Sequence, residues 1–410
     1  MSMLELLTDP ALWQEFYNRK EADGHMDRKE LAALGRWIAE GGYRAAAEGI
    51  LAGKPFPHPC RRELSKLGTD RKRVVYTYPE DENWVLKLLT FLLQRRYDHL
   101  FAHNLYSFRP RKGVRDAVLR LIRARGIRAM WSYKADIHNY FNSVPVERLL
   151  PLLRDALADD PPLYAFLAGL LRDPFVLRGG VPIREEKGIM AGSPVSAFLA
   201  NLYLSRMDHH FAQAGVLYAR YSDDIILFAP TQEERERHAA AVAQFLSDGG
   251  LTVNPAKEVR TAPGEPWTFL GICCRDGTVD VAPISVKKLK AKMRRKARAL
   301  ARWADRKDVE GEQAAKAFIR VFHRKLFEQG SEHELNWTRW YFPLINTADT
   351  LMEIDAYRQR CIRWLATGSN TKSAYRFRYE DMKRLGYVSL VSRYYEILHR
   401  SHAPGEEAAP

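Results

Sequence analysis

Two adjacent aspartates in a tight turn between two short apolar segments constrain the fold of this chain most. Asp223 and Asp224 lie between residues 216–220 and 225–228, and both of these segments read as β-strands. Asp favours turns for conformational reasons alone, so the pair by itself is weak evidence for a binding site. Its place between two strands nevertheless predicts a hairpin that holds two carboxylates at one fixed position.

A third aspartate ends another predicted strand. In residues 129–137 apolar side chains alternate with Ser132, Lys134 and Asp136, which places a carboxylate at the end of the polar face. If this strand lies beside the hairpin, the three acids come together although they are far apart in sequence. Oxygen ligands on rigid strand ends suit Mg²⁺, and two such ions roughly 3.5–4 Å apart clamp the attacking and leaving oxygens in phosphoryl transfer.

Composition indicates a polyanionic partner. The chain has 410 residues with 64 Lys and Arg against 50 Asp and Glu, a formal net charge of +14, which favours nucleic acid. The hydrophobic fraction of 46% excludes a disordered chain. No apolar stretch approaches the roughly 18–20 residues that cross a bilayer, and no signal-peptide pattern is evident. The four cysteines show no zinc-ligand spacing, so we expect a reduced, cytoplasmic protein without a membrane partner.

The patterning along the chain predicts an α+β fold. Strand and helix patterns are mixed up to about residue 285, with a helix expected over 194–210 and a strand over 267–272. From there to residue 401 the pattern is helical, first strongly basic and then aromatic. The final residues, 402–410, are rich in Pro, Gly, Ala and Glu and are expected to be disordered.

Six sequence blocks, in the same order and spacing, resemble those of bacterial reverse transcriptases, the group of group II intron, retron and defence-associated enzymes. They are 107–113 (SFRPRKG), 134–141 (KADIHNYF, similar to motif A), 188–204 (GIMAGSPVSAFLANLYL, motif B), 220–224 (RYSDD, motif C), 250–257 (GLTVNPAK, motif D) and 269–271 (FLG, motif E). The short chain and its helical C-terminal part look most like the "unknown group" defence-associated reverse transcriptases.

The resemblance implies a right-hand polymerase fold. It places N-terminal helices and fingers in 1–128, a palm with an antiparallel sheet in 129–281, and a basic helical thumb with a C-terminal helical region in 282–401. A further fingers segment is expected at about 145–187 within the palm.

The resemblance also implies a two-metal catalytic centre. Asp136, Asp223 and Asp224 would be the catalytic acids, and these three with the Ile137 carbonyl would hold Mg²⁺, with Mn²⁺ as an alternative.

Six residues are expected at the incoming nucleotide. Family roles would make Phe141 the gate against a 2′ hydroxyl, while Lys257 would lie near the pyrophosphate. Each also has a plainer reading, as a core aromatic or a surface lysine. Gly188 and Gly192 would let the backbone approach nucleotide and template closely. Ala191 stands where many relatives have a Gln. Lys72 and Arg73 would clamp the triphosphate, unless they form only a solvated basic hairpin. The expected nucleotide-binding set is Lys72, Arg73, Phe141, Ala191, Gly192 and Lys257.

A second set is expected along the template and primer. By resemblance these contacts are Arg109, Arg111, Lys112, Ser193, Pro194, Ser196, Phe269, Leu270 and Gly271. Basic residues also surround a helical stretch whose apolar stripe is Leu289, Met293, Ala297 and Leu300, and the cations would follow a nucleic-acid backbone. The expected backbone contacts are Lys288, Lys292, Arg295 and Arg298. The aromatic residues after 336 either stack bases or line a helical core.

The expected function is an RNA-directed DNA polymerase that adds dNTPs to a 3′ end. A cognate non-coding RNA would be its template in anti-phage defence, DNA its product, and a second copy of the chain a further partner. A group II intron maturase acting in splicing and mobility is the main alternative. An RNA-dependent RNA polymerase and a non-catalytic RNA-binding scaffold also stay open.

Overall fold

The computed structural model describes residues 1–24, 26–65, 72–328 and 337–402, and it confirms the α+β class. The chain forms two compact units, residues 1–270 and 271–410. All but the first residue of the tail predicted to be disordered lies outside the described residues. The finer division into fingers, palm and thumb stays a prediction.

The first unit contains both helices and strands. Its helices are α1 Pro10–Asp23, α2 Arg28–Ala39, α3 Tyr43–Leu51, α4 Glu80–Arg96, α5 Val114–Ile122, α6 Tyr140–Ser143, α7 Val146–Ala156, α8 Pro161–Arg172, α9 Ser196–Tyr203, α10 Ser205–Gln213 and α11 Gln232–Asp248. Its strands are β1 Cys60–Ser65, β2 Lys72–Thr77, β3 Trp131–Asp136, β4 Phe175–Arg178, β5 Val181–Arg184, β6 Leu217–Tyr221, β7 Asp224–Ala229, β8 Val259–Thr261 and β9 Trp267–Phe269.

An antiparallel sheet of order β6-β7-β3-β8 carries the three acids. Its two faces are covered, since Tyr133 and Leu227 belong to one hydrophobic cluster while Ile226 and Phe228 belong to another. Helix α11 packs against β3 and β7, and α5 packs against β6. Because both faces are buried, the strand ends are where polar side chains of this sheet can reach a ligand.

A second sheet has the order β2-β1-β4-β5. Strands β1 and β2 form an antiparallel pair, and β1 joins β4 through a parallel contact between Cys60 and Leu177. The segment after β5 leads to α9 through residues 185–195, which contact β2 by a hydrogen bond from the Tyr76 N–H to the Ala191 carbonyl at 2.8 Å. This loop contains the start of the predicted motif B (188–204), which continues into α9, and we call it the motif B loop.

Two predicted elements are interrupted. The helix expected over 194–210 begins at Ser196 and breaks at Leu204, where the Ser205 hydroxyl donates to the Leu202 carbonyl at 2.8 Å. The strand expected over 267–272 ends at Phe269, because Leu270 and the following glycine adopt positive φ angles of 48° and 86°. Such backbone cannot continue a strand.

The second unit begins with a strand pair and is otherwise helical. Its elements are β10 Ile272–Arg275, β11 Thr278–Val281, α12 Pro283–Lys307, α13 Gly311–Phe327, α14 Trp337–Tyr341, α15 Asp349–Thr367, α16 Tyr379–Arg384 and α17 Leu390–His402. The predicted apolar stripe of α12 is buried, and α13 and α15 pack against this helix. Among the described helices, none has the length and apolar character needed to cross a membrane.

Candidate active site

The strand register brings the three acids to one edge of the central sheet. Asp136 ends β3 directly opposite Asp224, which is the first residue of β7 rather than part of the turn. The Ile137 N–H donates to the Asp223 carbonyl at 3.1 Å, which fixes the hairpin loop against β3. In that loop Ser222 has a φ of 58°, so the backbone reverses within two residues.

The acids are crowded and partly removed from water. Burial, followed by the charge of Asp223, raises the pKa of Asp224 to about 6. Burial and the charge of Asp136 likewise raise the pKa of Asp223 above its ordinary range. Like charges directly opposite each other in a sheet destabilise it. The site therefore favours a cation that would neutralise the group.

Lys257 supplies part of that positive charge within the chain itself. Its Nζ lies 2.5 Å from Oδ2 of Asp136, and the side-chain amide of Asn254 donates to Oδ1 at 3.1 Å. Burial would lower the pKa of Lys257, but the hydrogen bond and charge of Asp136 outweigh it and raise that pKa. Lys257 was predicted near the pyrophosphate; here it pairs with a predicted metal ligand.

The donor set at this edge fits a hard divalent cation. Asp136 and Asp224 lie at facing strand ends and Asp223 lies in the hairpin loop next to Asp224, while the carbonyl of Ile137, the residue after Asp136, accepts no hydrogen bond within the described part of the chain. Oxygen donors of this kind are what Mg²⁺ and Mn²⁺ prefer. Among the described residues, no group of three or more Asp, Glu, His or Cys side chains is already arranged to hold a metal ion. The carboxylate of Asp136 is paired with Lys257 instead.

A buried ion pair beneath the hairpin was missed by the sequence analysis. Arg220 and Asp208 are both fully buried, with guanidinium–carboxylate distances of 2.5 and 2.8 Å. Nη1 of Arg220 donates to the Ser222 carbonyl at 3.1 Å, and Tyr218 donates to Asp208 at 2.8 Å. The guanidinium thus positions the loop that carries Asp223. The sequence did contain an indication of this ion pair, because Arg220 lies in an otherwise apolar strand, two residues before the turn.

The motif B loop is packed tightly against the protein's own backbone. A Cβ on Gly188 would lie 2.5 Å from the Phe141 carbonyl oxygen, and one on Gly192 would lie 2.9 Å from the Tyr76 carbonyl oxygen. Both glycines have positive φ angles, 54° and 102°. The protein's own backbone therefore already requires glycine at both positions, and the approach of nucleotide and template to Gly188 and Gly192 stays a prediction. Ala191 between them is buried.

Phe141 lies at the rim of this region. Its ring is partly buried, 6.4 Å from Phe108 in an edge-on arrangement and 5.7 Å from Tyr140. Partial burial is compatible both with a gate that contacts a sugar and with a core aromatic, so its role stays a prediction.

The two predicted triphosphate ligands occupy opposite faces of β2. Lys72 is exposed and pairs with Glu63 at 3.0 Å. The charge of Arg73 instead acts on Asp223, where it opposes the rise of the carboxyl pKa. Successive side chains of a strand alternate between faces, so the two cations lie on opposite faces of β2.

Three residues predicted to contact template or primer have buried side chains. Ser196 is buried, and its hydroxyl donates to the carbonyls of Ile189 and, at 2.7 Å, Met190. Phe269 has a fully buried side chain within a hydrophobic cluster. The guanidinium of Arg109 is 5% exposed and bound to Asp98 at 2.6 Å. All three side chains thus have partners within the protein, and their contacts with template or primer stay predictions.

The remaining predicted contacts are distributed differently. Arg111 is exposed, whereas Lys112 donates to the His103 carbonyl at 3.0 Å and burial lowers its pKa. Ser193 is buried and Pro194 partly so. Leu270 and Gly271 are partly exposed at the end of β9 and the start of the second unit.

In the second unit the four predicted backbone contacts share one property. All are exposed on α12 while its apolar stripe is buried: Lys288, Lys292, Arg295 and Arg298.

The C-terminal aromatic residues, predicted either to stack bases or to line a helical core, differ in exposure. Tyr387 and Tyr394 are buried, whereas Tyr375 and Tyr395 are 67% and 47% exposed.

Comparisons with known proteins agree with this geometry. Residues 77–274 match the family model of reverse transcriptase (RNA-dependent DNA polymerase). The group II intron-encoded protein LtrA of Lactococcus lactis subsp. cremoris is 25% identical over 231 residues, which cover 55% of this chain and 36% of that protein. A retron reverse transcriptase of Escherichia coli is 26% identical over 106 residues, covering 25% of this chain and 33% of that enzyme. The chain thus spans about a third of the length of these relatives.

Solved structures give a more distant similarity. Apo telomerase from Candida tropicalis has a TM-score of 0.48 and 13% identity, with 84% of this chain and 62% of that chain covered. The family match, by contrast, includes the hairpin, the motif B loop and the strand that ends at Asp136. It confirms the expected relation to bacterial reverse transcriptases over residues 77–274. Residues 77–274 form a reverse transcriptase (RNA-dependent DNA polymerase) domain of the kind found in group II intron and retron proteins.

Proposed function

We propose that the chain is an RNA-directed DNA polymerase that extends a 3′ end with dNTPs. The observation that carries this proposal is the register of β3 and β7, which sets Asp136 opposite Asp224 beside Asp223 within the matched domain. Reverse transcriptases use divalent metal ions, and we propose Mg²⁺ here, with Mn²⁺ as an alternative.

In this mechanism the acids and the Ile137 carbonyl would hold the ions, and the ions when bound would supply positive charge at the attacking and leaving oxygens. Arg73 would neutralise the triphosphate from β2, because its charge already acts on Asp223. Lys257, whose ammonium group contacts Asp136 beside the other acids, would donate a proton to the pyrophosphate leaving group. Phe141 would exclude the 2′ hydroxyl of a ribonucleotide.

We further propose a cognate non-coding RNA as template, in the cytoplasm and in a role in anti-phage defence. The net charge of +14 and the exposed cations of α12 support an RNA partner. Assembly with a second copy of the chain also stays a proposal. A maturase is the second candidate, favoured by the similarity to a group II intron-encoded protein over 55% of the chain.

Primer extension tests the polymerase activity. With a poly(rA) template, an oligo(dT) primer, dTTP and Mg²⁺, the wild-type chain should extend the primer, and Asp223→Asn should not. The exposed turn residue Asp276 of the second unit offers a matched control, because Asp276→Asn removes the same charge from a residue outside the matched domain. Extension by Asp223→Asn at the wild-type rate would contradict the site assignment.

Sequencing of the nucleic acid that co-purifies from the native host separates the two candidates. One abundant small RNA, with matching cDNA only when Asp223 is intact, supports the RNA-templated polymerase. Recovery of intron RNA supports the maturase instead.

A further inference from the structure

The side chain of Asn142 connects three parts of the first unit. Its Oδ1 accepts the Ala191 N–H at 2.9 Å, and its Nδ2 donates to the Val74 carbonyl at 3.2 Å. Asn142 itself belongs to α6, directly after Phe141. The motif B loop, strand β2 and α6 therefore meet at one amide, and we call this set of contacts the Asn142 junction.

Backbone hydrogen bonds around the junction restrict the movement of the motif B loop relative to α6 and β2. The Phe141 carbonyl accepts the Ile189 N–H at 2.8 Å, and the Ala191 carbonyl accepts the Tyr76 N–H at 2.8 Å. The two glycines of the loop allow no Cβ at these approaches. A small displacement of Ala191 would therefore move both Phe141 and β2.

The chemistry of the junction suits an amide. It needs one acceptor for an N–H and one donor for a carbonyl, and the Asn142 amide provides them at two separate atoms without charge. An aspartate would keep the acceptor but would set a carboxylate oxygen against the Val74 carbonyl.

We infer that Asn142 is a positioning residue that determines nucleotide selection in the proposed polymerase reaction. It fixes the distance between Phe141, the expected sugar gate, and β2, in which Arg73, the expected triphosphate ligand, directly precedes Val74. Its bond to Ala191 holds the loop in place between them. The inference rests on the proposed function, since it assigns Asn142 to the nucleotide site of that reaction.

Two variants separate the halves of the junction. Asn142→Asp keeps the acceptor for Ala191 and loses the donor to Val74, so it should raise the KM for dTTP about tenfold while the preference for dTTP over UTP changes less than threefold. Asn142→Ala loses both bonds and should also narrow that preference about tenfold. In both variants kcat with dTTP should stay within threefold, and the neighbouring Ser143→Ala should behave as wild type.

Amide hydrogen exchange gives a readout that does not need activity. Exchange at the Ala191 N–H should become about tenfold faster in Asn142→Ala and stay near the wild-type rate in Asn142→Asp and Asp223→Asn. If wild type fails to extend any primer, the proposed function fails, and the exchange result alone decides the junction. Unchanged exchange at Ala191 in Asn142→Ala, or an unchanged preference for dTTP in an active enzyme, would overturn the inference.

Discussion

Neutralising Asp224 is expected to stabilise the metal-free protein even though it removes a predicted catalytic carboxylate. In the folded chain, burial and the charge of Asp223 raise the pKa of Asp224 from 3.8 to about 6. The ionised form is therefore disfavoured at neutral pH, and the folded state bears that cost. Asparagine has nearly the same shape and carries no charge, so Asp224→Asn removes the cost without opening a cavity.

The size of the effect follows from the two pKa values. The change from 3.8 to about 6 corresponds to about 3 kcal/mol at 1.36 kcal/mol for each tenfold change in the acid constant. With an unfolding entropy of about 2.1 cal/mol/K per residue over residues 1–270, this stabilisation raises Tm by about 5 °C.

The effect has a defined dependence on pH. Because the folded chain binds the Asp224 proton more tightly than the unfolded chain does, protonation stabilises the fold. The stabilisation is fully present below pH about 4 and is lost as pH rises through about 6. Wild type should therefore equal Asp224→Asn at pH 4 and fall below it at pH 7.5.

Thermal unfolding in EDTA at pH 4 and pH 7.5 measures the difference in Tm between wild type and Asp224→Asn. Asp276→Asn is the control for loss of a surface charge. Added Mg²⁺ should raise the Tm of wild type more than that of Asp224→Asn, because the ion binds only the folded site. A lower Tm for Asp224→Asn at pH 7.5, or a difference that persists at pH 4, would refute the electrostatic reasoning.

Three further outcomes are expected. Phe141→Ala should narrow the preference for dTTP over UTP in primer extension by about tenfold, and an unchanged preference would exclude a gate role. Arg220→Met should lower the free energy of unfolding by about 3–5 kcal/mol in urea, because it leaves Asp208 buried and unpaired; a double variant with Asp208→Leu should recover part of the loss. Glutamine at the four exposed cations of α12 should flatten the slope of log affinity against log salt by about 3 in RNA-binding titrations, and an unchanged slope would remove α12 as an RNA surface. The four positions are Lys288, Lys292, Arg295 and Arg298.

The local patterns predicted most of the central sheet. Alternation marked β3, the paired apolar runs marked β6 and β7, and the acids between them marked the site. The apolar stripe of α12 was also predicted, because residues on one face of a helix recur every three to four positions. These features depend on residues close together in sequence.

The rest depends on contacts that no local pattern encodes. Ser196 and Phe269 occupy family positions, yet tertiary packing buries them. Lys257 was assigned to the pyrophosphate, but its partner Asp136 lies far away in sequence and becomes available only through the sheet. The Arg220–Asp208 pair shows the same limit, since two charged residues of separate elements look like surface residues until both are buried.

The network beneath the hairpin also bears on when reactivity can arise during folding. The Asn104 side chain donates to the Asp208 carbonyl at 3.0 Å, and the Asn104 carbonyl accepts the Arg220 N–H at 3.1 Å. Contacts between such distant positions form slowly, because long loops must close first. A chain still emerging from the ribosome cannot complete them until residue 220 has been made. The three aspartates should therefore reach their fixed arrangement only after these contacts form. Until then, partly synthesised chains should not react with nucleotides.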